Sequence, residues 1–380
     1  MNIVGFQEFR TTKDSIKEIN NNINFTKLNK PYKLIVLKFG FIPYITKLEK
    51  KNLSQLKVIS KAPRIRVIFQ EINNKKNDAI FTVNIHSIET LLFCLIGKIK
   101  KKKIIIGVKD WVFKKDSIYS RISNITVKYI VAKQGDYFIS YSENAKNFLE
   151  KDLNVPNSKI YNAYSPKKNH LNIKIDKHKQ KEIKDNYFSK KKVNFLFVGR
   201  FIPFKGVDIF LKAAKQFKDQ INIIAIGNDE TNYGKYCKKI ANKYNINILF
   251  LGHIPKDDVK YFYLNADVFV LPNKYCPKNF EPVEMTGNVL YETMAFGTPA
   301  IVTTATGSGE DFIKDDDTGM IVKGNSVETL KNAIEDVLNN PKQWEKRKKK
   351  TRESYQNMLK QNEKELKRLF EDLVKEKNHL

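Results

Sequence analysis

Cysteine is scarce in this chain and forms no pattern: Cys94, Cys237 and Cys276 stand far apart, with no CxxC spacing and no histidine partners. That excludes a disulfide framework and a thiolate zinc site, and leaves three ordinary thiols. Long apolar runs are missing as well. No stretch approaches the roughly 18 to 20 residues needed to cross a bilayer, and the opening MNIVGFQEFR lacks a signal-type hydrophobic segment. The expected localisation is therefore cytoplasmic. Arginine is the third shortage, with eight among 69 basic residues. Since arginine is the preferred reader of guanine edges, its scarcity argues against sequence-specific DNA binding. Acidic residues are short in one half only. Residues 1–200 hold 41 Lys+Arg against 16 Asp+Glu, whereas residues 201–380 hold 28 against 25. The basic half suits an anionic membrane surface or a polyanionic substrate. Its other reading is compositional, with lysine filling exposed positions of a chain rich in Lys, Asn and Ile.

What is present is globular. The 380 residues are 41% hydrophobic and 29% charged, enough for two domains and far from a disordered composition. Short β-rich runs at 1–6, 32–39, 64–69, 79–85, 103–108 and 137–142 alternate with helical stretches such as 14–22, 88–99 and 142–152. Strand, helix, strand in series predicts a parallel sheet with helices on its faces. A polar, charge-dense stretch at 166–192 reads as a linker, with room for a short helix, between domains 1–165 and 193–341. The pattern restarts with strands at 193–199, 222–227, 248–252, 267–272, 299–303 and 319–322, and helices at 207–217, 233–244 and after Gly287. Beyond Pro341 a charged helical tail, 342–380, carries Met358, Leu359, Leu366, Leu369, Phe370 and Leu373 at helical spacing, a packing stripe suited to lying back on the first domain. The fold class is α/β, with two Rossmann-like doubly wound parallel-sheet domains.

The densest chemical signal is EPVEMTGNVLYETMAFGTP at 281–299, where Glu284 and Glu292 bracket Gly287 at a loop-to-helix junction. A helix starting at Asn288 offers free backbone N–H groups and a positive dipole end, both suited to a phosphate. Eight residues of continuous helix would part the carboxylates by roughly 12 Å. That exceeds the roughly 5 to 9.5 Å at which a glycosidase pair works across one bond. The glutamates are better placed to hold two parts of one long ligand. Upstream, the loop after VNFLFVG sets Arg200 and Lys205 at the carboxyl end of a strand, where open parallel sheets bind ligands. Two cations beside a helix start suit a diphosphate and need no metal.

FVGRFIPFKGVDIFLKAA, ILFLGHIPKDDVKYFYLNADVFVLP and EPVEMTGNVLYETMAFGTPAIVTTATGSGEDFIKDDDTGMIV together resemble the second lobe of the family-4 glycosyltransferases of GT-B fold, in order, from 193 to about 340. The resemblance implies a metal-independent, retaining transferase that moves a sugar from a nucleotide-diphosphate sugar to a hydroxyl acceptor. It implies that Arg200 and Lys205 bind the diphosphate and that Glu292 holds the ribose hydroxyls. Glu284 with Gly287, Asn288 and Val289 would hold sugar and phosphate, and His253 with Ile254 would border the base. Glu284, Lys205 and Arg200 are the candidate catalytic set. The implied partners are a nucleotide sugar and a glycan or lipid-linked acceptor, without a resident cofactor or metal; nucleic acid is not expected.

The first lobe matches that family in outline only. Gly5 is followed by FQEFRTTKDS without the family's second glycine, and Lys109, then Asp110 and Trp111, stand where a family histidine commonly follows the fifth strand. Acceptor-side candidates are Lys109, Asp110, His86 and Ser142. His86 also reads, and more readily, as a structural histidine, and Ser142 as a helix cap. The triplet Asp315–Asp317 reads as a solvated turn before Thr318 and Gly319. LLFCLIGKIKKKK at 91–103 has two readings: a membrane-surface element, or a buried helix followed by a wet turn. The rival functions are a phosphorylase or nucleotide-sugar epimerase on the same fold, and a catalytically inactive basic binding protein.

Overall fold

The computed structural model describes residues 2–8, 33–39, 56–59, 73, 79–83, 85, 88–109, 124, 131–164, 173–275, 287–313 and 317–377. The chain divides into two compact units, Met1–Lys168 with Lys360–Leu380, and Asn169–Leu359.

The first unit is built on seven parallel strands: β1 (Asn2–Glu8), β2 (Lys33–Phe39), β3 (Leu56–Ile59), β4 (Ala79–Val83), β5 (Lys103–Val108), β6 (Tyr137–Ser140) and β7 (Ile160–Asn162). Their spatial order is β3-β2-β1-β4-β5-β6-β7. β1 pairs with β2 on one side and with β4 on the other, Ile3 lying opposite Leu34 and Ala79, so the chain reverses its direction of travel across the sheet at that point. Helix α1 (Ile88–Ile99) turns its Phe93 and Cys94 into a core shared with Ile80, Ile104 and Ile106. Gly97 lets it lie close to the sheet, since a Cβ there would stand 2.4 Å from Ile104 Cδ1. Helix α2 (Glu143–Asn147) continues as one wider turn over Phe148–Asp152. The strand expected at 64–69 and the helix at 14–22 lie outside the described residues.

The second unit repeats the plan with six parallel strands: β8 (Val193–Val198), β9 (Ile221–Ile226), β10 (Ile248–Phe250), β11 (Val268–Leu271), β12 (Ala300–Thr303) and β13 (Gly319–Val322), ordered β10-β9-β8-β11-β12-β13. INIIAI, VFVL and AIVT are buried throughout, as strands covered on both faces must be. The helices are α3 (Lys177–Tyr187), α4 (Val207–Ala214), α5 (Asn232–Tyr244), α6 (Lys256–Asn265), α7 (Asn288–Ala295), α8 (Gly309–Phe312), α9 (Val327–Asn339) and α10 (Pro341–Lys377). Local chemistry fixes several starts: Thr231 accepts from the Gly234 N–H at 3.0 Å and Ser326 from the Thr329 N–H at 3.2 Å. α3 occupies part of the stretch expected to be linker, and Ile183 anchors it in the core of its unit.

The two edges of the second sheet differ in character. At the amino-terminal edge, Asp267 Oδ2 accepts from the Asn194 N–H at 2.9 Å, and Asn194 Oδ1 accepts from Asn222 Nδ2 at 3.0 Å. Lys348 adds an ion pair to Asp267 at 3.1 Å. Those polar groups are spent on one another. The carboxyl edge is where loops, glycines and helix starts converge.

Candidate active site

β8 and β11 are neighbours in space although two strands, β9 and β10, and three helices separate them in sequence, so the loops that follow them open at the topological switch point of the sheet. After β8 come Gly199, Arg200, Phe201 and Ile202, a tight turn over Pro203–Lys205, then Gly206 and α4. Gly206 has φ 67°, and a Cβ at that position would stand 1.8 Å from the Pro272 carbonyl oxygen. Only glycine permits both the left-handed backbone and this approach to the end of β11. Lys274 N–H donates to the Phe204 carbonyl at 2.8 Å, closing the seam between the two loops. Arg200 is exposed and Lys205 is buried, 8% exposed, at the start of α4.

The neighbouring strand ends are drawn in by the same means. Gly227 N–H donates to the Gly252 carbonyl at 2.8 Å, and a Cβ on Gly227 would lie 1.9 Å from the Gly199 carbonyl oxygen. His253 follows Gly252 as an exposed residue and Ile254 is half-buried. On the far side of the switch point, the Asn273 side chain donates to Thr306 Oγ1 at 3.0 Å and the Asn273 carbonyl accepts from Thr303 Oγ1 at 2.7 Å. Gly287, the residue preceding α7, is buried beside this loop, its Cβ position 3.0 Å from Ser308 Oγ and 3.4 Å from Thr306 Cγ2. Ser308 Oγ and Asn273 Oδ1 are buried without a hydrogen-bond partner among the described residues. Each keeps hydrogen-bonding capacity that is costly to leave unused, of order 1–3 kcal/mol.

α7 buries Leu290, Tyr291, Met294 and Ala295, while Val289 and Glu292 are half-buried. Glu292 does not hang free: the Tyr263 hydroxyl on α6 donates to its Oε2 at 3.0 Å. Tyr263 is itself fixed, stacked on Phe296 with centroids 6.0 Å apart and its carbonyl accepting from Thr298 Oγ1 at 2.5 Å. Burial first, and then the adjacent Glu292 charge, push the Tyr263 phenol well above its ordinary range, so it stays a donor at every working pH. Two other carboxylates at this edge are engaged. Asp208, in the first turn of α4, pairs with Lys274 at 2.7 Å and accepts from the Tyr233 hydroxyl at 2.5 Å. Burial raises the Asp208 pKa, but the hydrogen bonds from Lys274 and Tyr233 outweigh it and hold the carboxyl below the usual range. Asp229 pairs with Lys238 at 2.7 Å.

Of the residues singled out in sequence, Arg200, Lys205, Gly287, Val289, Glu292, His253 and Ile254 all lie on strand-end loops or helix starts of this one edge, or within α7. Glu284 lies outside the described residues, as does the side chain of Asn288. Tyr263, Asn273, Lys274, Thr306 and Ser308 join the site without a signal in the motif, because their contacts reach across 29 to 35 residues or come from a following loop. In the first unit, His86 and Asp110 lie outside the described residues. Lys109 follows β5 with its ammonium 5.4 Å over the Tyr141 ring. Ser142 is fully buried and caps α2, accepting from the Ala145 N–H at 3.0 Å. Next to it Asn162 accepts from Ser140 Oγ at 3.2 Å and donates to Glu143 at 2.7 Å. Asp317, the described member of the acidic triplet, is ion-paired with Lys350. Among the described residues no group of three or more His, Cys, Asp or Glu could hold a metal ion, and no helix is long and apolar enough to cross a membrane.

Residues 178–355, which carry the whole of this edge, match the family Glycosyl transferases group 1. Putative glycosyltransferase YtcC of Bacillus subtilis is 33% identical over 152 residues, 38% of this chain and 35% of that protein. The uncharacterized glycosyltransferase MJ1607 of Methanocaldococcus jannaschii is 27% identical over 223 residues, 56% of this chain and 53% of that protein. The chain thus spans 35% and 53% of the lengths of these two relatives. Among solved structures, Anabaena Alr3699/HepE in complex with UDP superposes with a TM-score of 0.74 at 14% identity, covering 98% of this chain and all (100%) of the other. That likeness is one of fold, whereas the match over 178–355 is one of sequence. Over those residues the chain is similar to the Glycosyl transferases group 1 family, and its two parallel-sheet units make the GT-B fold.

Proposed function

We propose that this protein is a metal-independent, retaining glycosyltransferase that moves a hexosyl group from a nucleotide-diphosphate sugar to a hydroxyl of a glycan or lipid-linked acceptor. The observation that carries the reading is the meeting, at the β8/β11 switch point, of the Lys205–Gly206 turn, the α7 start at Gly287 and the Glu292 carboxylate braced by Tyr263. The UDP complex of the Anabaena neighbour is consistent with a nucleoside diphosphate as the leaving group.

In this reading Glu292 accepts hydrogen bonds from both ribose hydroxyls, and Tyr263 keeps it turned toward them. His253 and Ile254 border the base. The diphosphate lies against the N-termini of α4 and α7, with Arg200 and Lys205 completing its neutralisation. Glu284 and the backbone of Gly287 to Val289 hold the sugar, and the unspent Ser308 and Asn273 oxygens face its hydroxyls or the phosphate's bound water. The bond from the anomeric carbon to the phosphate oxygen breaks as the acceptor oxygen bonds on the same face. The acceptor's proton passes to the departing phosphate oxygen. Cations and helix ends aimed at that oxygen lower the barrier because charge grows there only as the bond breaks.

The test pairs ligand binding with turnover on the full chain. Glu292→Ala weakens binding of UDP or GDP, read by thermal shift and calorimetry, by about tenfold to a hundredfold, the loss of charge-assisted hydrogen bonds of about 1.5–3 kcal/mol. Tyr263→Phe weakens it by less and leaves turnover at saturating donor unchanged. Lys205→Ala depresses kcat more than donor affinity. A Lys205→Ala protein that keeps full activity with every donor tried would end the assignment of leaving-group stabilisation, and a product of inverted anomeric configuration by NMR would end the retaining assignment.

A further inference from the structure

The Asp229 carboxylate, where the loops after β9 and β10 meet, is engaged through one oxygen only. Oδ2 is held by the Lys238 ammonium at 2.7 Å, and that ammonium is tied in turn to Glu230 at 2.7 Å and lies 5.7 Å over the ring of Phe250, the last residue of β10. Oδ1 accepts no hydrogen bond among the described residues. It lies against Gly252, where a Cβ would stand 3.6 Å away, and Gly252 directly precedes His253. The backbone N–H groups of His253 and Ile254 likewise donate to nothing among the described residues. Asp229 has little freedom to turn elsewhere. It is 6% exposed, and α5 closes on it so tightly that a Cβ on Gly234 would come within 2.1 Å of its carbonyl oxygen. A buried carboxylate oxygen without a donor is a cost that a ligand's N–H would remove.

We propose that Asp229 is a base-reading residue that selects uracil, so that the donor is a uridine diphosphate sugar. The inference rests on reading this edge as a nucleotide-sugar site and goes beyond it by naming the base. Uracil presents one N–H, at N3, between two carbonyl oxygens. One open acceptor and two open donors in adjoining loops match that edge in number and kind. Adenine and cytosine carry a bare ring nitrogen in the corresponding place, and its lone pair would face the carboxylate. Guanine has an N–H there with an amino group beside it, and that pair asks for both oxygens of one carboxylate. Here Lys238 already holds the second oxygen, and its positive charge opposes the amino hydrogens. Sites built to hydrogen-bond one ligand reject the analogue that leaves their buried polar groups unpaired.

Calorimetry on the full chain compares UDP, GDP, ADP and CDP. UDP is expected to bind at least about tenfold more tightly than each of the others. In Asp229→Asn the amide oxygen stays with Lys238 and the NH2 faces the base, so UDP binding should weaken by about tenfold or more while CDP binding does not fall. Lys238→Met, at a side chain 35% exposed, releases Oδ2 and should move the ratio of affinities from UDP toward GDP. The circular dichroism spectrum checks that each variant is folded, and if Asp229→Asn is not, the ranking of the four nucleotides and the Lys238→Met ratio still decide. GDP, ADP or CDP binding as tightly as UDP would overturn the base assignment alone. So would an Asp229→Asn protein that binds all four more weakly by the same factor, the mark of a purely structural carboxylate. Binding of none of the four would overturn the nucleotide-sugar site itself, and the base assignment with it.

Discussion

Gly206 concentrates the physical argument in one residue. It holds a left-handed backbone, φ 67°, at the point where α4 begins, and its missing Cβ leaves room for the Pro272 carbonyl. Gly206→Ala must therefore bear both the left-handed penalty of about 1–2 kcal/mol and the displacement of β11's exit loop. For a unit of this size each kcal/mol moves the midpoint by about 2–4 °C. The variant should melt at least about 4 °C lower and bind UDP more weakly, because the moved loop carries Asn273 and Lys274. Gly199→Ala is the control: its Cβ would meet only the Phe197 ring, at 3.1 Å, and the melting curve should shift far less. A Gly206→Ala protein with an unchanged midpoint would show that the close approach is unimportant. This residue scale was also the most legible in sequence where charge and glycine fell within one segment, as in Arg200, Lys205, Gly287 and Glu292. Tyr263 was not legible. It reads as one aromatic in YFYLNADVFV, and nothing in local spacing says that its hydroxyl meets a carboxylate 29 positions later.

At the scale of elements, periodicity spoke clearly wherever a strand is buried on both faces, and was silent for the short edges of the first sheet. β3 and β7, four and three residues long, lie at the two edges of the first sheet, and neither LKVI nor IYN stands out from its polar surroundings. The tail shows the opposite case. Its long helix buries Trp344, Arg347, Thr351, Tyr355, Met358 and Asn362 at spacings of three and four, then Leu369, Phe370 and Leu373. From Lys360 onward it belongs to the first unit, where Arg368 lies 4.2 Å over the Tyr161 ring, the Tyr161 hydroxyl donates to Asp372 at 2.7 Å, and Asn362 Nδ2 donates to the Tyr164 carbonyl at 2.7 Å. The first turn of α4 yields a prediction in pH. The folded Asp208 pKa lies below its ordinary 3.8, held there by Lys274 and Tyr233 against the effect of burial. A depressed carboxyl contributes stability above the unfolded value, and that contribution fades as pH falls through the folded one. Asp208→Asn should therefore denature at lower urea than the wild type at neutral pH, with the gap narrowing below about pH 4. A gap that stays constant from pH 7 to pH 3 would mean that the Lys274 pair contributes nothing through its charge.

Over the whole molecule, the two units repeat one topological plan while their chemistry has diverged. The second spends its glycines on tightening the carboxyl edge of its sheet, and the first carries the basic excess and the exposed Leu92, Leu95 and Ile99 of α1. If a nucleoside diphosphate binds only the folded second unit, mass action stabilises that unit, by about 2.7 kcal/mol at a hundred times the Kd. The sequence supplies a reporter for each: its two tryptophans are Trp111, within the span of the first unit, and Trp344, buried in the second, where its ring lies under Arg347 at 4.3 Å and its Nε1 donates to Asp336 at 2.9 Å. Trp111→Phe leaves fluorescence that follows the second unit, and Trp344→Phe leaves fluorescence that follows the first. UDP should raise the denaturation midpoint seen through Trp344 by an amount that grows with the logarithm of its concentration. The midpoint seen through Trp111 should move less, since its unit gains only what is coupled to the other's folding. Equal shifts through both reporters would make the two units one cooperative block, and a shift through Trp111 alone would move the nucleotide to the first sheet and overturn the site described at the second.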